Sequence, residues 1–211
     1  MKNRVEKLLN SDGFVIFIGL VIVPIASFML ITLGDESPLY TSISRLAWVN
    51  GYWLSTFVWA LIVMSSVGWI TYRTVFTGPL SESRKVTFTA CQLVNIILVF
   101  LGCIVFPAKP GENALRLAHY VHDYLTIAAW AMYGIGLLVY SVMLRKHDRF
   151  LSLLGISLMC FIIFSSLFFI QRVIDPNSYV GASAVSEVYI INSLFIYLIT
   201  MYVAQRSKRL K

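Results

Sequence analysis

Phe14-Val-Ile-Phe-Ile-Gly-Leu-Val-Ile-Val-Pro-Ile-Ala-Ser-Phe-Met-Leu-Ile-Thr-Leu33 is a run of 20 residues without a charged side chain. At about 1.5 Å per helical residue it spans the roughly 30 Å of hydrocarbon in a bilayer. A cleaved signal peptide is the competing reading, but the run is long for such a segment and no small-residue cleavage site follows it. We read it as the first of six membrane spans. The others run over about 51–72, 86–106, 117–144, 150–170 and 184–204, with a polar arm over 1–13 and a basic tail over 205–211. The fold class is therefore all-α, with antiparallel spans joined by short connections in an up-and-down bundle.

Composition agrees. Hydrophobic residues make up 58% of the chain and charged residues 13%, which excludes an ordinary soluble domain. Lys and Arg number 17 against 10 Asp and Glu, an excess whose location decides its meaning. Thirteen of the 17 fall in the arm, the second and fourth connections and the tail, and only Arg45, Lys109, Arg116 and Arg172 fall on the other side. By the positive-inside rule both termini are cytoplasmic, and the basic excess is a topology signal that calls for no nucleic acid. Trp48, Tyr52 and Trp53 at one end of the second span, with Trp69 and Tyr72 at the other, mark two interfaces.

The connections carry turn chemistry. Asp12-Gly13 reads as a cap for the first span, Thr77-Gly78-Pro79 as a turn, and the polar run up to Lys85 as the lead into the third span, which ends at Phe106-Pro107. Asn113 is a candidate cap for a fourth helix running to Leu144, too long for the bilayer alone, so His119 to Asp123 belongs at headgroup depth. Cys91, Cys103 and Cys160 all fall within spans and read as core residues. No lysine lies inside a span, and no glycine-rich phosphate loop is present, so neither a retinal-type Schiff base nor a nucleotide is indicated. Asn95 and Asn192 lie near mid-membrane, where an interhelical amide hydrogen bond is the ordinary reading.

The chemistry-bearing stretch is Leu117-Ala-His-Tyr-Val-His-Asp-Tyr124. His119, His122 and Asp123 stand at i, i+3 and i+4, on one face of the fourth helix. On the same outer side lie Asp35, Glu36, Arg45, Arg116, Arg172, Asp175 and Glu187. His119, His122, Asp123 and Glu187, or Asp35, form a candidate divalent-metal set, zinc being the metal it would take for water activation. Without metal, a His paired with Asp123 is a candidate general base, with Ser42 or Ser44 as nucleophile. A third use is ligand binding, in which Arg45 and Arg172 clamp an anionic headgroup beside His119, His122, Asp123 and Glu187. The ordinary reading of the histidines is hydrogen bonding to neighbours, and that of Glu187 is a carboxylate complementing a helix N-terminus. Haem is not indicated, because bis-histidine ligation draws on facing helices and only the fourth carries histidines within the membrane region.

The segment Ser37-Pro-Leu-Tyr-Thr-Ser-Ile-Ser-Arg-Leu46 after the first span, Phe106-Pro107 closing the third and His119 opening the fourth resemble the six-span bacterial membrane proteins of the domain-of-unknown-function 998 family. A more distant likeness is to the Frag1/DRAM/Sfk1 membrane proteins. Where that first outer segment usually reads Ser-x-Leu-Gly, this chain has Ser44-Arg45-Leu46-Ala47. The resemblance implies a bacterial plasma-membrane location and weight on the segments around Ser42, Phe106-Pro107 and His119; it implies no reaction. Three functions follow as expectations: an outer pocket for a lipid headgroup or small amphipathic ligand, a metal-dependent or His/Asp hydrolase at the outer leaflet, and an assembly partner of another membrane protein or a homo-oligomer. The last would use the small residues Gly134, Gly136 and Ser141 as its contact.

Overall fold

The structure is a computed structural model that describes residues 11–33, 38, 42–106, 113–167 and 183–209; within these, the side chains of 113–120, 123, 167 and 209 lie outside the description. Helices α1 (Asp12–Ile31), α3 (Trp53–Thr77), α4 (Glu82–Ile104), α5 (Asn113–Leu144), α6 (Arg149–Leu167) and α7 (Ala184–Arg209) are each long and apolar enough to cross a membrane. A short helix, α2 (Ile43–Trp48), precedes α3. The first residue of α1 and the end of α7 meet, so the bundle has a terminal end and, opposite, a far end bearing α2.

Helices α3 to α7 form a closed ring in chain order, α7 packing back on α3, and α1 lies outside the ring in the groove between α3 and α7. Tyrosines fill the interior: Tyr133, Tyr140, Tyr197 and Tyr202 are each at most 1% exposed. Every phenol there has a partner, as a hydroxyl in an apolar interior requires. Tyr133 bonds Thr71 Oγ1 at 2.7 Å, and Tyr197 bonds Ser141 Oγ at 2.7 Å and donates to Leu137 O at 3.1 Å. Tyr140 donates to Thr74 O at 3.3 Å and accepts from Gln205 Nε2 at 3.0 Å. These bonds join α3, α5 and α7 across the ring, so the ring closes on side chains.

Local chemistry moves several boundaries. The cap of α1 is Ser11, whose Oγ accepts from Phe14 N at 3.2 Å, and Asp12 instead bonds Tyr202 at 2.5 Å and Arg206 at 3.3 Å. Ile18–Ile22 is a π-turn just before Pro24. Proline supplies no amide to the ladder and crowds the carbonyl four residues back, and a wider turn absorbs both effects. Gly19 sits in that turn, where a Cβ would lie 2.4 Å from Ile199 Cδ1, so glycine permits the approach of α1 to α7. At the terminal end α3 and α7 continue to Thr77 and Arg209, past the apolar runs ending at Tyr72 and Ala204. Helix α4 starts at Glu82 instead of Val86, which brings Lys85 into a membrane helix at 6% exposure. The carboxylate of Glu82 in the first turn suits the helix N-terminus and pairs with Lys85 at 2.8 Å, so the lysine is accommodated.

Three further expectations are corrected. Cys91 and Cys160 are exposed on the outside of the bundle, where a thiol behaves as a small hydrophobe among lipid chains. Asn95 bonds Gln92 Oε1 on its own helix at 3.4 Å, and the interhelical bond is made by Gln92 Nε2 to Tyr133 O at 3.3 Å. Asn192 Oδ1 is buried with no hydrogen-bond partner among the described residues. The small residues of α5 face the bundle: a Cβ on Gly136 would lie 1.7 Å from Gln92 Nε2, one on Gly134 would lie 3.8 Å from Met159 Cε, and Ser141 bonds Tyr197. They take part in packing within the bundle.

Candidate functional site

The far end is built where α4 runs out. The last carbonyls of a helix have no partner within it, and here side chains from three other elements supply donors. Trp48 Nε1 of α2 donates to Cys103 O at 3.4 Å, and Trp53 Nε1 of α3 donates to Ile104 O at 3.3 Å. His122 Nδ1 of α5 lies 2.9 Å from Phe106 O, just past the helix end. The two indoles expected at an interface therefore hold a helix terminus. Trp48, Trp53, Phe57 and Phe100 follow one another with ring centroids 6.4, 5.3 and 5.9 Å apart, which fixes α2 against α3 and α4.

His122 is 4% exposed and turned into the bundle. A carbonyl accepts and never donates, so Nδ1 carries a proton in this contact; in a neutral ring the lone pair would then be on Nε2. One turn further into the membrane, Thr126 Oγ1 lies 3.8 Å from Cys103 Sγ, and a Cβ on Gly102 would meet Thr126 Oγ1 at 2.5 Å. Helices α4 and α5 thus approach closely one turn from the imidazole.

Across the mouth stands Glu187, in the first turn of α7. Ser183 starts that turn, its Oγ accepting from Ser186 N at 3.3 Å and its carbonyl accepting from Glu187 N at 3.0 Å. The partly buried carboxylate reaches the start of α2, where Oε2 accepts from Ile43 N at 2.8 Å, and it lies within electrostatic range of the Cys103 thiol. The macrodipole reading of Glu187 is thus redirected: its carboxylate serves the N-terminus of a neighbouring helix. Helix α2 is a cover over the mouth, with Ile43, Leu46 and Ala47 buried at 6, 0 and 2% exposure beneath it. Gly51, at φ 81°, makes the left-handed turn that returns the chain from α2 to α3.

Ser42 caps α2, its Oγ accepting from Arg45 N at 3.1 Å and lying 3.0 Å from Ser44 Oγ. A hydroxyl so used is a helix cap, and no histidine is recorded against it among the described residues. Arg45 is exposed on the outer face of α2. Of the residues singled out from sequence, the structure brings His122 and Glu187 to one mouth with Ser42 and Arg45 on its cover. The side chains of His119 and Asp123, and all of Asp35 and Arg172, lie outside the described residues. Among the described residues no three His, Cys, Asp or Glu side chains converge as a metal set.

Sequence reasoning missed the cover helix, the indole caps and the position of Cys103. The signals were present: Ser42 followed by an Ile43, Leu46, Ala47 stripe is a capped amphipathic turn, and Trp48 and Trp53 flank the Gly51 turn. Comparison with known protein families, curated proteins and solved structures gave no match. The site is accordingly read from its own geometry.

Proposed function

We propose that this chain is a multi-pass protein of the bacterial plasma membrane, with both termini cytoplasmic, whose extracytoplasmic mouth binds a lipid headgroup or small amphipathic ligand. The far end is then the outer face, as the basic residues in the arm, tail and terminal-side connections favour. The observation that carries this reading is the hydrogen bond from Ile43 N to the Glu187 carboxylate. It is a polar latch between a cover helix and an acid in the mouth, and a ligand bearing an N–H or O–H donor replaces it group for group. His122 lines the same mouth and Arg45 stands on the cover; in this reading His119, Asp123 and Arg172 complete the polar set.

The test is thermal unfolding of the delipidated protein in detergent against a panel of lipids of one chain length and varied headgroup. The expected result is a rise in Tm with at least one headgroup, abolished in His122→Ala and Glu187→Ala. No shift with any headgroup overturns the reading.

One observation favours a second reading, a metal-dependent hydrolase at the outer leaflet. An imidazole that donates from Nδ1 to a backbone carbonyl is held in the tautomer that presents Nε2 to a metal. Near-stoichiometric zinc in protein purified without chelator or nickel, lost in His122→Ala, would establish it. Absence of metal from both proteins would leave ligand binding.

A further inference from the structure

We propose that an anionic diacyl phospholipid binds in the groove between α3 and α4, with its phosphate at Lys85 and Thr89 near the terminal end. The groove has a volume of about 310 Å³ and is lined by Leu61, Ser65, Gly68 and Trp69 of α3 with Leu93 and Ile97 of α4, among others. From Leu61 to Trp69 a helix rises about 12 Å, close to the roughly 15 Å depth of one leaflet's hydrocarbon. Gly68 forms the floor, opposite Leu93 and Ile96. The groove opens outward beside the exposed Leu61, Leu93 and Ile97, so hydrocarbon is the medium that fills it.

Two polar groups continue the same line. Thr89 stands one turn from Leu93 on the same face of α4 and is 6% exposed, yet its Oγ1 has no hydrogen-bond partner among the described residues. A threonine hydroxyl in a helix ordinarily bonds the carbonyl four residues back, and a buried orphan calls for an acceptor or donor from outside the chain. One turn further lies Lys85, whose ammonium is 6.0 Å from the centroid of the Phe76 ring and 2.8 Å from Glu82 Oε1. Its side chain is 7% exposed while that of Glu82 is 74% exposed, so the pairing carboxylate sits on the water side and is the contact a phosphate displaces. Arg84 is exposed beside it. An apolar slot, with an unpartnered hydroxyl one helical turn beyond its lining and a cation one turn further, matches acyl chain, ester or phosphate oxygen, and phosphate in order. Charge selects the headgroup as anionic.

This site lies at the opposite end of the bundle from Glu187 and His122. It stands or falls on different residues.

The experiment is thermal unfolding of the delipidated full chain in detergent with phosphatidylglycerol, phosphatidylcholine of the same chains, or inorganic phosphate. Phosphatidylglycerol at about 100-fold over its Kd raises Tm by on the order of 5 °C, and the other two raise it far less. Ser65→Phe, which fills the groove from an exposed position, and Lys85→Gln each reduce the difference between phosphatidylglycerol and phosphatidylcholine by half or more. Thr89→Val guards against a folding defect: removing an unpartnered hydroxyl leaves the lipid-free Tm unchanged or higher, yet the phosphatidylglycerol shift falls by half or more. Equal shifts with the two lipids, a shift reproduced by inorganic phosphate, or a difference reduced by less than half in Ser65→Phe or in Thr89→Val overturns the proposal.

Discussion

Replacing Glu187 with alanine leaves Ile43 N, at the start of α2, without its 2.8 Å acceptor. A buried N–H deprived of its partner costs about 1–3 kcal/mol. Against that loss stand the apolar anchors of the same helix, Ile43 at 6% and Leu46 at 0% exposure, each contributing about 1.5–3 kcal/mol. The anchors outweigh the latch, so α2 loosens without leaving the mouth. A six-residue helix has too few internal hydrogen bonds to persist once undocked, so loosening reads out as local unfolding. Amide hydrogen exchange over Ile43–Trp48 should therefore speed up about 5- to 150-fold in Glu187→Ala, with exchange in the middle of α3 unchanged. Glu187→Gln retains a carbonyl oxygen for Ile43 N and should lie much nearer wild type. Exchange over Ile43–Trp48 unchanged in Glu187→Ala would refute the latch.

Tyr133→Phe removes the 2.7 Å bond to Thr71 and orphans that buried hydroxyl; a loss of about 1–3 kcal/mol is expected, read as a lower denaturation midpoint. Gly136→Ala places a methyl where Gln92 Nε2 now lies, forces the amide off Tyr133 O, and should cost about 1–3 kcal/mol. Adding Gln92→Ala should recover part of that loss, and strict additivity of the two changes would show that they do not touch. Asp148, in the turn between α5 and α6, has its carboxyl held below the ordinary value of 3.8, first by the hydrogen bond from Lys208 and then, against the opposing effect of burial, by Leu151 N at 3.0 Å. Its ionised form is the one the fold favours, so its stabilisation is present above the unfolded value and lost as pH falls through the lowered one. The Tm advantage of wild type over Asp148→Asn should thus hold at neutral pH, begin to shrink near pH 3.8 and vanish only below the lowered folded value; an advantage that grows on acidification would reverse the assignment.

The spans were legible because the bilayer imposes a length and a composition that few other environments impose, as the uncharged run at Phe14–Leu33 illustrates. Their ends were less so. Thr77 and Arg209 extend helices into polar sequence, where no hydropathy step marks a boundary; the first of these stops at Gly78, its C-cap. The interior was partly visible: Tyr133, Leu137, Tyr140 and Leu144 repeat at helical spacing, but phenols also suit interfaces, and only packing tells the two apart. At the far end His122 and Glu187 could be picked from sequence as polar groups near the outer ends of their helices. Their partners could not, since Phe106 O and Ile43 N are backbone groups that every residue carries. Lys85 is the instructive miss, because its burial depends on where α4 begins and not on its own identity.

The measurement closest to the central claim is an experimental structure of the protein saturated with the headgroup whose thermal shift His122→Ala and Glu187→Ala abolish. The account predicts a ligand donor within about 3.2 Å of the Glu187 carboxylate, with Ile43 N–H turned away and His122 in contact with the same ligand. A mouth still closed by the bond from Ile43 N to Glu187, with the headgroup bound elsewhere, would contradict it.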